Sequence, residues 1–370
     1  MDDFVDFVLN VRKVCASTDL TKTPVHLVIG NESCDLDSMV CAFGLAYYHH
    51  QIKNKRSNAD QCCTVLPVLN IPMKCFVSRT ENCYVLKQFG ITETDLLFRD
   101  SLDFEAIKNG GQLSVSIVDH HVLRDEDKFL EQSVIEVYDH RPRDPTANWN
   151  TNIASLVIEE VGSCATLISQ KLLTHDILTG PLAELLHDVI IFDTVAFSAK
   201  AQKARELDIS VSKQLQQQFG ISCIPQHRFD QLWNVHNDIS SLTPGQLLFK
   251  DLKFVDDFPV AGLPMLVREF LQFSDVHEHL LAFCDETQRA TVVVMGLKVV
   301  GDEVFRDIAI FSKSDKETRE LLVNSLKANL DLGVTEDTVS VPDITYLMQN
   351  NVKMSRKQIV PIIKSLRRYE

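Results

Sequence analysis

Three short apolar runs that each end on acid or imidazole constrain this chain more than any other feature. PVHLVIG (Pro24 to Gly30) leads into NESCDLDS, LSVSIVDHH closes on Asp119-His120-His121, and VIEVYDH closes on Asp139-His140. Runs of β-branched residues bounded by polar clusters read as strands. SMVCAFGLAYYHHQIK, GSCATLISQKLL (162–173) and LAELLHDVIIFDTVAF (182–197) carry small and apolar residues at helical spacing. Residues 3–14 read as a leading helix, and TVLPVLNI (64–71) and LLFR (96–99) as further strands. Strands alternating with helices predict an α/β fold, with a mostly parallel N-terminal sheet and helices on both faces. Ligands of such sheets bind beyond the carboxyl ends of the strands, where these acids and histidines fall.

The chain has 370 residues, enough for about two domains. Its texture changes near residue 215, where QQQFGISCIPQHRFDQ combines polar runs with Gly and Pro. Beyond it, SLTPGQLLFKDLK reads as a helix, VAGLPMLV, TVVVMGLKVV and IAIFSK as strands, and SRKQIVPIIKSLRRY as a basic helix. The expected domains are 1–220 and a smaller, mixed α/β domain over 236–370.

Lys and Arg number 37 against 51 Asp and Glu, a net charge of −14. Such a field argues against non-specific nucleic-acid binding, although a local metal or basic cluster can still recruit an anion. No uninterrupted apolar stretch approaches the roughly eighteen residues of a membrane span. The ten cysteines show no framework spacing, and Cys62-Cys63 lacks a CxxC or histidine partner and reads as structural. MDDFVDFVLNVRK is acidic and amphipathic, unlike a signal peptide. The expected setting is a reducing cytoplasm.

Four segments share one chemistry: Asp35-Leu36-Asp37, Asp119-His120-His121, Asp139-His140-Arg141, and Asp193 with Asp188 five residues before it. A DxD or a DHH alone is weak, since acids in loops are common. Asp193 is different, because IIFDTVAF surrounds it with apolar residues. A buried carboxylate costs several kcal/mol, on the order of a lost ion pair, unless paired or metal-bound. Together the set predicts a divalent metal centre of carboxylate oxygen and imidazole, suited to Mn²⁺, Mg²⁺, Co²⁺ or Zn²⁺. Its basic counterpart is Ser355 to Gln358, where Arg356 and Lys357 open a helix that continues with Lys364, Arg367 and Arg368. A solvated basic face is the plain reading, and a phosphate clamp the functional one. Lys253, near Asp251 in KDLKF, is a further phosphate-binding candidate.

The ordered set HLVIGNESCDLDS, VLPVLNI, LLFRD, VDHH, YDHRP and IIFD, with the C-terminal SRKQ, resembles the DHH phosphoesterase superfamily with a DHHA2 second domain. Within it the chain looks like the prune-type exopolyphosphatases, relatives of the family II inorganic pyrophosphatases. The resemblance spans roughly residues 24–365 and implies two domains closing over two divalent ions, Mn²⁺ or Mg²⁺, with Co²⁺ as another candidate. It implies metal ligation by Asn31, Asp35, Asp37, Asp119, His140 and Asp193, with Asp139 orienting His140. Asp119, His120 and Arg141 take catalytic roles, and Arg141, Lys253, Arg356 and Lys357 bind substrate. Two positions depart from the pyrophosphatase pattern, Asn31 and Arg141, each standing where that pattern has histidine. Arginine cannot serve as a general acid near neutral pH but can grip a phosphate.

The implied activity is hydrolysis of short-chain inorganic polyphosphate or pyrophosphate without a protein nucleophile. Cyclic nucleotide phosphodiesterase is the second enzymatic reading, and a signalling scaffold with protein partners the non-enzymatic one. No nucleic-acid or membrane partner is expected, and the sequence does not specify an oligomeric state.

Overall fold

The computed structural model describes residues 2–55, 63–149, 153–255, 257–301 and 303–364. Cys62, Arg367 and Arg368 lie outside the described residues. The chain divides into two compact units, 1–238 and 239–370. The segment 220–236, between the two expected domains, is mostly helix and packs within the first unit.

The first unit runs α1 (Asp3–Ser17), β1 (Val25–Ile29), α2 (Leu36–Lys55), β2 (Thr64–Val68), α3 (Thr80–Lys87), α4 (Phe104–Gly110), β3 (Leu113–Val118), β4 (Val134–Asp139), β5 (Ser155–Ile158), α5 (Cys164–Thr174), α6 (Gly180–Asp193), α7 (Glu206–Phe219) and α8 (Pro225–Asn237). All five strands are parallel, in the order β2-β1-β3-β4-β5. Pro67 sits on the edge strand β2, where its missing N–H costs no central ladder bond. Every residue of β1 is buried, as a parallel sheet covered on both faces requires. Leu27 is fully buried there, and truncation to Ala would cost about 2–5 kcal/mol. α2 crosses β1, β2 and β3 and packs on α5 and α6, while α8 packs on α3 and α6.

A polar chain lies within this buried layer. His26 Nε2 is 2.8 Å from Ser116 Oγ, and the Ser116 hydroxyl donates to Glu136 Oε2 at 3.0 Å. His49 of α2 reaches the same carboxylate oxygen at 2.6 Å. The chain links β1, β3, β4 and α2, and each buried group in it has a partner.

The second unit runs α9 (Pro244–Lys250), β6 (Asp251–Val255), β7 (Phe258–Leu263), α10 (Val267–Phe270), α11 (Val276–Thr287), β8 (Thr291–Val300), β9 (Glu303–Ser312), α12 (Lys316–Ala328), β10 (Val334–Asp337), β11 (Ile344–Gln349) and α13 (Arg356–Lys364). Its sheet, in the order β10-β11-β9-β8-β7-β6, is antiparallel except for the β7–β8 pair. Strand alternation divides the core: Val292 and Val294 face Leu247, Phe270 and Phe283, whereas Val293 faces Leu322, Ile359 and Ile363.

Two expectations change. LLFR is not a strand: Leu69 and Phe98 form one isolated bridge before a 3₁₀ turn at Arg99–Ser101. Three consecutive buried residues, Leu96, Leu97 and Phe98, show no alternation and do not distinguish a packed turn from a strand. The helix read through SLTPGQLLFKDLK stops at Lys250, and DLKFV is β6, antiparallel to β7. Lys253 therefore stands on a strand.

Candidate metal centre

Strand β1 delivers Gly30 against α2. A Cβ at Gly30 would fall 2.0 Å from Ser38 Oγ, so glycine alone permits this approach. The next residues fold into a tight loop. Asn31 Oδ1 accepts from Ser33 N (2.9 Å), Ser33 Oγ (2.6 Å) and Cys34 N (3.1 Å). Asp35 caps α2, its Oδ1 accepting from Ser38 N at 3.1 Å. Asn70, Arg79 and Asn82 side chains donate to the carbonyls of Gly30, Ser33 and Cys34 and pin the loop from outside. Asp37, in the first turn of α2, accepts from Cys164 N and Ala165 N, both at 2.8 Å. These amides lie in the first turn of α5 and have no intrahelical backbone acceptor, a place where negative charge is favoured.

Asp119 directly follows β3 in the left-handed region, at φ 58°. Its N–H continues the parallel ladder to Tyr138 O at 2.8 Å, so the departure from strand geometry serves to aim the carboxylate. His140 directly follows β4. Its Nδ1 lies 3.2 Å from Val161 O, which accepts only from a protonated ring nitrogen. Nε2 then faces Asp119 Oδ1 at 3.3 Å and Asp37 Oδ2 at 3.9 Å, an approach that calls for a proton or a cation between them. Asp193 is the last residue of α6, and Val195, Ala196 and Phe197 beyond it are all left-handed.

Asp37, Asp119 and His140 offer ligand atoms within 4.8 Å of one another. Burial, then the charges of Asp35 and Asp37, raises the pKa of Asp119 well above its ordinary value, with Asp193 adding to the effect. Burial followed by Asp37 and Asp35 does the same to Asp193, and burial with Asp37 raises Asp35. Burial opposes charge on His140, yet Asp37 and its neighbours leave its pKa raised. Each of these groups therefore demands a cation or a proton.

Two oxygens show the demand directly. Asp119 Oδ1 and Asp193 Oδ2 are buried without a hydrogen-bond partner. Arg141 Nη2 approaches Asp119 Oδ1 at 3.1 Å but off hydrogen-bond alignment, while its Nη1 donates to the Asp119 carbonyl. Carboxylate oxygens with one imidazole nitrogen are a donor set for hard or borderline divalent ions. The residues present fit such an ion.

Asn31 stands beside this donor set. Its oxygen is committed to the loop, and its Nδ2 donates to Asp119 Oδ2 at 2.6 Å, so it offers no ligand atom. Asp139 does not orient the His140 ring, since Val161 holds Nδ1. Its carboxylate instead accepts from His140 N (2.7 Å), Arg141 N (3.3 Å) and His121 Nδ1. His121, left out by sequence reasoning, also accepts from Asp144 N at 2.8 Å and so orders the loop after β4. Burial keeps His120 neutral, with Nδ1–H on Val118 O at 2.9 Å. Asp188 belongs elsewhere, its carboxylate gripped by Arg228 of α8. Cys164 and Ala165 went unread because backbone amides carry no residue-type signal. Ser163, the N-cap of α5 before an apolar run, marks that helix start in the sequence.

In the second unit, Lys253 is exposed on β6, and Arg356 and Lys357 open α13. Arg356 donates from Nη1 to Asp251 O (2.9 Å) and from Nη2 to Asp251 Oδ1 (2.8 Å).

The DHHA2 domain family matches residues 230–366. The chain is similar to exopolyphosphatase PRUNE1 of Bos taurus, 33% identical over 364 residues, covering 96% of this chain and 78% of the relative. The Homo sapiens PRUNE1 exopolyphosphatase is also 33% identical, over 95% of this chain and 77% of its own. Among solved structures, a Methanococcus jannaschii protein assigned to the family II inorganic pyrophosphatases aligns over 92% of this chain and 98% of its own. Its TM-score is 0.53 at 22% identity, a likeness of fold. Ordered motifs, fold and this near-complete similarity agree that the chain belongs to the prune family of the DHH phosphoesterase superfamily.

Proposed function

We propose that the chain is a divalent-metal-dependent phosphoanhydride hydrolase acting on inorganic polyphosphate, with short chains preferred, and on pyrophosphate. The observation that carries this is the convergence of Asp37, Asp119 and His140, with Asp119 Oδ1 and Asp193 Oδ2 buried without a hydrogen-bond partner. Asp35, Asp37, Asp119, His140 and Asp193 would hold Mn²⁺ or Mg²⁺, with Co²⁺ as a substitute. When bound, such ions supply Lewis acidity, lowering the pKa of attacking water and neutralising phosphoryl oxygens.

The chain's own groups divide the remaining work. Val161 and the α5 amides fix His140 and Asp37, so that neither reorganises on binding. Arg141, half exposed beside Asp119, presents N–H donors to a phosphate oxygen. His120, neutral with Nδ1–H committed to Val118, keeps a lone pair at Nε2 to receive a proton. In the second unit, Lys253, Arg356 and Lys357 are the candidates for binding phosphate charge. Among the described residues Cys15, Cys34, Cys41, Cys164, Cys223 and Cys284 carry free thiols, which suits a reducing cytoplasm. No helix among the described residues is long and apolar enough to cross a membrane.

The test is phosphate release from pyrophosphate, tripolyphosphate, tetrapolyphosphate and long polyphosphate, and hydrolysis of cyclic AMP, each with Mg²⁺ and with Mn²⁺. Release from tripolyphosphate that stops on chelation supports the reading. Turnover of cyclic AMP alone, or of nothing, overturns it.

A further inference from the structure

Arg356 does not project freely from its helix. Asp251 takes two of its five N–H donors, one on a main-chain oxygen and one on a carboxylate oxygen. Three donors remain for an anion, and holding one edge of the planar group fixes the direction of the others. The Arg356 side chain is 21% exposed, so the grip leaves it accessible. Ile359 and Ile363 anchor α13 in the core with Val255 and Val260, so the base of the side chain is fixed as well.

The strand opposite Asp251 contributes room. Gly262 pairs with Asp251 across the β6–β7 ladder. A Cβ on Gly262 would stand 2.8 Å from Asp251 Oδ2 and 3.3 Å from Arg356 Nη1. The Gly262 backbone is not left-handed, so the glycine is needed here for space. Alternation along β6 puts Lys253 on the same sheet face as Asp251. An acid and a glycine thus surround the guanidinium, with Lys253 on the same sheet face.

We propose that Asp251 and Gly262 are positioning residues for Arg356, orienting its free donors toward a phosphate oxygen of the substrate. This rests on the reading of Arg356 as a substrate contact. The opposing idea is that Asp251 merely neutralises Arg356 and competes with the substrate for it. The two ideas differ in sign, since positioning makes loss of Asp251 harmful, whereas competition makes it beneficial.

The experiment measures Mn²⁺-dependent kinetics on tripolyphosphate and calorimetric affinity for imidodiphosphate, a nonhydrolysable pyrophosphate analogue. The proteins are wild type, Asp251→Ala, Asp251→Asn, Gly262→Ala, Arg356→Ala and the double variants on Arg356→Ala. Asp251→Ala and Gly262→Ala should each lower kcat/KM and analogue affinity by roughly three- to thirtyfold, the range for residues in contact. Asp251→Asn keeps an acceptor and should recover part of the loss. On the Arg356→Ala background neither change should have a further effect, which a general folding defect would not reproduce. If Arg356→Ala is harmful while Asp251→Ala is neutral or tightens binding, the positioning proposal fails and the substrate contact stands. If Arg356→Ala itself changes nothing in either measurement, the substrate contact fails and the proposal with it. Should Gly262→Ala not fold, the two Asp251 variants decide.

Discussion

The side-chain amide of Asn31 donates to the Asp119 carboxylate at 2.6 Å, while the Asn31 oxygen is held by three donors of its own loop. The bond presents an N–H where the pyrophosphatase pattern has an imidazole. Asn31→Asp keeps the loop acceptor but sets one carboxylate against another. The metal-free variant should be less stable by about 1–3 kcal/mol, the range for an unpaired buried polar contact. Mn²⁺ should restore more stability than it adds to wild type. Thermal unfolding with and without Mn²⁺ checks this, and equal metal-free midpoints would remove Asn31 from contact with Asp119.

Asp119→Asn removes the charge that sits closest to His140 and Arg141. Mn²⁺ affinity and tripolyphosphate turnover should each fall by at least about tenfold. Metal-free stability should rise or hold, because a buried carboxylate with a raised pKa is replaced by a neutral amide. Retention of wild-type Mn²⁺ affinity in calorimetry would show that Asp119 is not a ligand.

Metal binding should release protons. The raised pKa values of Asp119 and Asp193 mean that these carboxyls hold protons at a pH where an exposed acid would not. A cation binds the ionised form, so apparent Mn²⁺ affinity should rise with pH. Calorimetry in two buffers of different ionisation enthalpy measures the protons released. Heat independent of buffer would contradict the expectation.

His26 should shape the acid limb of stability. Burial, reinforced by His49, pushes its pKa from 6.5 to about 3. The folded state therefore binds fewer protons than the unfolded state between those values. The stability from neutral His26 is complete above the unfolded pKa and is lost as pH falls toward the folded one. The slope is about 1.4 kcal/mol per pH unit within that window. His26→Gln keeps a side-chain amide for Ser116, and denaturant unfolding should show a slope shallower by about that amount. An unchanged slope would mean that His26 is charged in the folded protein.

The residues that the fold brings together are legible in the sequence wherever residue type and strand end coincide. Asp119 and His140 were legible because an apolar run stops on them, and Asp193 because an acid interrupts an apolar helix. Asn31 was misread because residue type does not say which end of an amide faces the site. Asp139 was misread because the His140 ring is held by a carbonyl, and every residue has one. β6 was hidden because LLFKDLK changes from helix to strand at Asp251 without a glycine or proline between them. The same boundary concealed that Asp251 and Arg356 would meet across 105 positions of sequence.

The parallel sheet also sets when the acids meet. Asp119 lies 88 positions from Asn31, and their contact exists only once β1 and β3 have paired side by side. Parallel pairing closes long stretches of chain and is slow. An incompletely folded chain therefore keeps its acids apart in water, without mutual repulsion and without a chelating cage. The repulsion falls on the last steps of assembly, where a divalent ion can offset it. Under the proposed function, an ion taken up at that stage would couple its supply to the yield of folded chain.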